Sequence, residues 1–174
     1  MRGGRGIGKG ALAREFGGLF RQHYIHIAHP RHLVGNFNAH LQDAVISVGE
    51  MTYLKGERRF AAIANRFDWT DALAGRGGRK KSYTRRRTGL RFEKVLGAQL
   101  SGINLSDKRQ MLNVLAIRFE ATTAPEGTIT IACAGGAAIR LHVECVEAEM
   151  KDLGAAWMTK SKPEHPDDEP GAPG

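Results

Sequence analysis

Eight basic residues, Arg76, Arg79, Lys80, Lys81, Arg85, Arg86, Arg87 and Arg91, fall within sixteen consecutive positions that contain no acid. The formal net charge of the chain is +8, so this stretch alone equals the excess and the remainder is close to neutral. A cation run of this density attracts polyanions, and arginine presents planar forks suited to phosphate oxygens. Tyr83 lies inside the run and offers a ring for a base to stack on, whereas Phe92, just beyond it, is expected in a core. The anion-binding or nucleic-acid-binding candidates are therefore Arg76, Arg79, Lys80, Lys81, Tyr83, Arg85, Arg86, Arg87 and Arg91. They predict contact with RNA, DNA or a nucleoprotein assembly, with an acidic protein partner as the alternative. The plainer reading of the same residues is a flexible, solubilising surface loop.

Other groups carry less. His23, His26, His29 and His32 recur at every third position, but a spacing of three drifts around a helix, Pro30 interrupts the run, and no carboxylate between them orients a ring. No metal site is expected, and no cofactor. Gly3, Gly8, Lys9 and Gly10 imitate a phosphate loop, yet Gly10 stands where a hydroxyl is needed and no strand precedes the loop. Cys133 and Cys145 fall on the apolar phase of their segments and read as core thiols. His142 points away from Cys145 in the alternation, so a Cys–His pair is not expected. The acids Glu144, Glu147, Glu149 and Asp152 give no sign of converging as an acid–base pair. No catalytic residue is assigned, and a small enzyme of unknown reaction is kept only as the rival reading.

The elements that must position these groups follow from periodicity. Phe37, Leu41, Ala44, Val45 and Val48 recur with helical spacing after an N-cap at Asn36 or Asn38. Met51 and Tyr53, then Phe60 to Trp69, read as two strands joined at Lys55-Gly56-Glu57. The cationic run follows as a loop. Leu90, Phe92, Leu96, Ala98 and Leu100, then Met111, Leu115, Ile117 and Phe119, predict a second hairpin turning at Ser106-Asp107-Lys108. Ile129, Ile131 and Cys133 alternate with Thr128 and Thr130; Gly135-Gly136 turns the chain; Ile139, Leu141 and Val143 then alternate with Arg140, His142 and Glu144. Val146, Met150, Leu153 and Trp157 predict a closing helix.

The fold class expected is α+β: an antiparallel meander, or a strongly bent barrel-like sheet of pleckstrin-homology type, with an N-terminal and a C-terminal helix packed on it. With 174 residues the chain is sized for one domain, placed at 36–159. A basic Gly-rich segment over 1–35 and an acidic Pro-rich tail over 160–174 flank it as poorly ordered stretches. Two cysteines exclude a disulfide framework, no apolar run reaches the ~18 residues of a membrane span, and a cytoplasmic location is expected.

Six segments carry a resemblance. Ala39-His40-Leu41-Gln42-Asp43-Ala44-Val45, Tyr53-Leu54, Arg59-Phe60-Ala61, Asn65-Arg66-Phe67-Asp68-Trp69, Leu115-Ala116-Ile117-Arg118-Phe119 and Ala138 to Cys145 occur in order and with similar spacing. Over roughly residues 37 to 163 the chain resembles the uncharacterised bacterial family catalogued as domain of unknown function 2948, common in alphaproteobacteria. The resemblance implies a cytoplasmic single domain and transfers no catalytic or binding residue. Met1 to Asn36 departs from the family pattern, as an upstream start or a reading-frame shift would explain.

Overall fold

The computed structural model describes residues 25–27, 29–67, 83–154 and 157–159, with side chains from 29 to 67 and from 84 to 154. The first helical segment is composite. A turn of α-helix, α1 (Pro30–His32), runs into a π-helical stretch (Leu33–Phe37) and then into α2 (Asn38–Leu41). Proline suits the first turn, because its missing N–H is unpaired there in any case. Leu33, Phe37 and Leu41 are fully buried at a spacing of four, and Phe37 meets Phe92 edge to face. The core thus begins at Leu33, ahead of the boundary expected at Asn36.

The expected helix does not continue to Val48. Gln42 turns extended and Asp43 adopts a left-handed φ of 63°, which ends the helix. The β-branched residues that follow build β2 (Val45–Leu54), in which Ile46 and Val48 are buried in alternation. Ala44 and Val48 matched a helical spacing only because positions four apart also share one face of a strand, while Val45 falls on the opposite phase.

Eight further strands follow: β3 (Arg59–Phe67), β4 (Tyr83–Phe92), β5 (Val95–Ser101), β6 (Met111–Ala121), β7 (Gly127–Cys133), β8 (Ala138–Val143), β9 (Ala148–Asp152) and β10 (Trp157–Thr159). With β1 (Ile25–Ile27) they form an antiparallel sheet of order β1-β9-β4-β3-β2-β6-β7-β8-β5, and β10 also pairs with β4. The two halves, β9-β4-β3-β2 and β6-β7-β8-β5, are joined where Val45–Ser47 pairs with Met111–Asn113. Ile46, Phe60, Ala62, Leu90 and Phe92 of one half share a single hydrophobic cluster with Ile117, Ile129, Ile139 and Leu141 of the other. The core therefore lies between the halves, and each half turns its opposite face outward.

The sheet-rich antiparallel reading holds, and the β2–β3 and β7–β8 hairpins are as expected. Gly135 and Gly136 both take positive φ in the β7–β8 turn, the conformation a side chain would strain. Three expectations are corrected. The predicted closing helix is strand: β9 pairs with β4 through Leu90↔Met150 and Phe92↔Ala148, because the edge of β4 supplies ladder partners that a local periodicity cannot reveal. The cationic run is not a loop from Tyr83 onward but β4, whose Thr88, Leu90 and Phe92 alternate inward. β5 and β6 do not form a hairpin; β5 pairs with β8, and β6 with β7 and β2. A bulge between Val114 and Ala116 shifts the phase of β6, so Leu112, Val114 and Ile117 point inward while Met111 and Leu115 are exposed.

Asn38 ties the helix to this sheet. Its side-chain amide donates to the Ile117 carbonyl at 2.9 Å and accepts from the Ile117 N–H at 2.5 Å. It thereby imitates a ladder partner just beyond the point where β2 leaves β6.

Candidate functional site

The structure divides the predicted anion-binding residues. Arg76, Arg79, Lys80 and Lys81 lie outside the described residues, and Tyr83 is described only by its backbone, opposite Thr159. Arg85 is half-buried and forms no ion pair among the described residues. The other three are engaged. Arg86 Nε stands 4.0 Å from Asp152 Oδ2, Arg87 Nη2 lies 2.5 Å from Glu50 Oε1, and Arg91 pairs with Glu149 and, through Nε at 3.0 Å, with Glu93. Antiparallel pairing explains the pattern: Arg91 faces Glu149 directly across the β4–β9 ladder. These arginines are not an outward cationic arm; carboxylates from β2, from β9 and from Glu93, just past β4, neutralise them.

Arg66 adds a latch at the end of the core face. Its Nε donates to Thr88 Oγ1 and to Asp152 Oδ1, both at 3.1 Å, its Nη2 donates to Asp152 Oδ2 at 2.7 Å, and the Thr88 hydroxyl donates to Asp152 Oδ1 at 2.6 Å. Burial alone would raise the Asp152 carboxyl, but the hydrogen bonds from Arg66 and Thr88 and the charges of Arg66 and Arg86 outweigh it and hold the carboxyl below its ordinary value. The group is a clamp across β3, β4 and β9, with its donors spent on one carboxylate.

The outward face of the other half is different. Alternation aims Arg118 and Glu120 of β6, Thr128 and Thr130 of β7, Arg140 and His142 of β8, and Gln99 of β5 away from the core. Register aligns them in two rows. Arg118 faces Thr130, Thr130 faces Arg140, and Arg140 faces Gln99; alongside, Glu120 faces Thr128, Thr128 faces His142, and His142 faces Gly97. The two arginines therefore stand two strands apart, roughly 10 Å between backbones, on either side of a threonine hydroxyl. Arg118, Glu120, Arg140 and His142 are exposed, and neither arginine lies within ion-pair distance of a carboxylate among the described residues. The rows line two open depressions of about 360 and 450 Å³. Chemically, the first row offers an anion two guanidinium forks, unpaired among the described residues, and a hydroxyl, and the second offers a carboxylate, a hydroxyl and an imidazole.

Sequence reasoning placed Arg140 and His142 on a wet face but did not join them to Arg118. The signal was present in Ile117-Arg118-Phe119, where Arg118 takes the outward position between two core residues. The missing information was strand order, which sets β6 two places from β8.

The remaining groups stay apart. Cys133 is buried, and burial pushes its thiol up to about 11, while His142 points outward from the opposite face. Cys145 is half-buried. His29 accepts from the Arg31 N–H through Nδ1 at 3.2 Å and meets the His32 ring edge on at 5.8 Å. The side chains of His23 and His26 lie outside the description, as do the Gly3–Gly10 cluster and the acidic tail. Among the described residues no three His, Cys, Asp or Glu side chains cluster as metal ligands would, and no helix is long and apolar enough to cross a membrane.

Residues 28–165 match the model of the family described as protein of unknown function, DUF2948. The chain belongs to that family. No curated protein and no solved structure matches it. The DUF2948 match reaches back to residue 28, so the helical entry with Leu33 and Phe37 is part of the family's span, beyond the start expected near Phe37. Both arginine-bearing regions, β4 and the β6–β8 face, fall inside it.

Proposed function

We propose that this protein is a non-enzymatic accessory domain that contacts a polyanion, RNA or DNA or an assembly containing them, and that the outward face of β5, β6, β7 and β8 makes the contact. The observation that carries this reading is the pair Arg118 and Arg140, exposed on either side of Thr130 and without a carboxylate partner among the described residues. Guanidinium forks beside a hydroxyl suit phosphate oxygens, and the strand ladders fix the spacing of the backbones that carry them. The arginines of β4 support the fold instead. The cations at Arg76, Arg79, Lys80 and Lys81 add long-range attraction for the same ligands whatever their placement.

The test is a titration of the full chain with labelled RNA and DNA at several salt concentrations. Two phosphates neutralised by Arg118 and Arg140 contribute about −1.4 to the slope of log affinity against log salt for a single strand. Arg118→Ala with Arg140→Ala is expected to remove that part of the slope, while Arg87→Ala leaves it in place. Absent or salt-insensitive binding defeats the proposal, and binding of an acidic protein in its place would move the contact to that class of partner.

A further inference from the structure

The outward face is not uniformly basic, and its second row has a chemistry that a plain phosphate clamp does not need. Glu120 stands beside Arg118 on the same side of β6, two residues or roughly 7 Å along the strand. A lone carboxylate there repels phosphate, so it weakens a purely electrostatic site. It is, however, a strong acceptor for a hydroxyl donor. His142 holds the corresponding place on β8, next to Arg140. Its neighbour on β5 is Gly97, around whose Cα there is open space, so one side of the imidazole ring meets no side chain across the strand. Thr128 lies between Glu120 and His142. Both backbones are held in the strand ladders, but neither the Glu120 carboxylate nor the His142 imidazole makes a side-chain hydrogen bond or an ion pair within the described residues.

Resting on the anion-binding reading above, we infer that this face recognises a ribose phosphate. The phosphate sits over Thr130 between Arg118 and Arg140, the 2′-hydroxyl of the ribose donates to Glu120, and the base stacks on the His142 ring. The 2′-hydroxyl is the group that lets a site separate RNA from DNA, and imidazole is one of the rings on which unpaired bases stack. The two rows are about one strand repeat apart, and the groups that touch the ligand lie on β6, β7 and β8, a footprint matched to a single nucleotide unit. The same carboxylate that gains a hydrogen bond from ribose gains nothing from deoxyribose and keeps its repulsion. Selectivity therefore comes from one residue acting with opposite sign on two ligands. A ribose phosphate can come from an RNA chain or from a free ribonucleotide, and the site chemistry is common to both.

The decisive experiment compares the full chain binding a labelled oligouridylate and the oligodeoxyuridylate of equal length, which differ only at the 2′ position, with uridine monophosphate as competitor. The ribo strand is expected to bind about tenfold tighter, the effect of one hydrogen bond to a charged acceptor. Glu120→Ala should bring that ratio near one while leaving deoxy binding equal or stronger, His142→Ala should weaken the ribo strand severalfold, and Arg118→Ala should weaken both strands alike. Competition by the monophosphate identifies a free nucleotide as sufficient, whereas binding of the oligomer without such competition identifies the chain. Equal affinity for the two strands, or a ribo preference that survives Glu120→Ala, overturns the ribose assignment and leaves polyanion binding standing. No binding of either strand overturns both.

Discussion

The arginines of β4 and those of β6 and β8 are the same side chain on the same kind of strand in opposite surroundings. On β4, Arg86, Arg87 and Arg91 reach acids supplied by distant parts of the chain: Glu50 lies 37 positions from Arg87, and Glu149 lies 58 positions from Arg91. On the other half of the sheet, Arg118 and Arg140 both face Thr130, and neither forms an ion pair among the described residues. Within the described part of the denser cluster, Arg86, Arg87 and Arg91 are thus engaged by carboxylates, whereas the sparser pair has no such partner among the described residues. Cationic density along a sequence measures how strongly a segment attracts negative charge. Whether that charge is used inside the fold depends on which strands become neighbours.

This contrast can be broken most directly at its structural end. Arg91→Ala takes the partner from Glu149, whose side chain is only 10% exposed, while Glu93 keeps Arg59 at 2.7 Å; the change is expected to cost about 2–4 kcal/mol in a urea unfolding experiment, somewhat less than a fully buried pair. A loss of only a few tenths would show that β4 does not depend on its ion pairs. Next comes the floor of the other face. A Cβ on Gly127 would overlap the Phe119 ring and approach the Glu120 carbonyl to 2.6 Å, so Gly127→Ala is expected to destabilise by about 1–3 kcal/mol and to disturb Glu120 with it.

The Arg66–Asp152 latch gives a pH signature. Asp152 is held below its ordinary value of 3.8 in the folded state, so the folded protein binds fewer protons there than the unfolded chain. Its contribution is fully present above that ordinary value and is lost as pH falls through the lowered one. Asp152→Asn should therefore flatten the acid limb of stability against pH, and an unchanged limb would assign acid sensitivity elsewhere. The smallest effect sharpens the comparison most: Arg118→Ala and Arg140→Ala should each change stability by less than about 0.5 kcal/mol while weakening nucleic-acid binding. A large loss of stability in either would place those arginines in the same structural class as Arg91.

Alternation determined a good deal without any structure. The inward phase of Ile129, Ile131, Cys133, Ile139, Leu141 and Val143, the Gly135-Gly136 turn, and the outward phase of Thr128, Thr130, Arg140 and His142 were all legible, because a strand with one buried face writes its orientation every second residue. The β2–β3 hairpin and the burial of Phe92 were legible for the same reason. Val146 to Trp157 was not, since a few apolar residues fit a helix or a strand equally well until β4 offers an edge to pair with. Nor was the phase of Met111 and Leu115, which a single bulge reversed.

The amino-acid sequence by itself determined the two faces of β7 and β8, the total charge and the family of the chain, all of which depend on residues close together or on their sum. Only the tertiary structure decided which of the described arginines meet a carboxylate, because ion pairing and the alignment of Arg118, Thr130 and Arg140 depend on strand order. Strand order is settled by burial of one shared core between two halves of a sheet, a property of the whole chain that no local spacing contains.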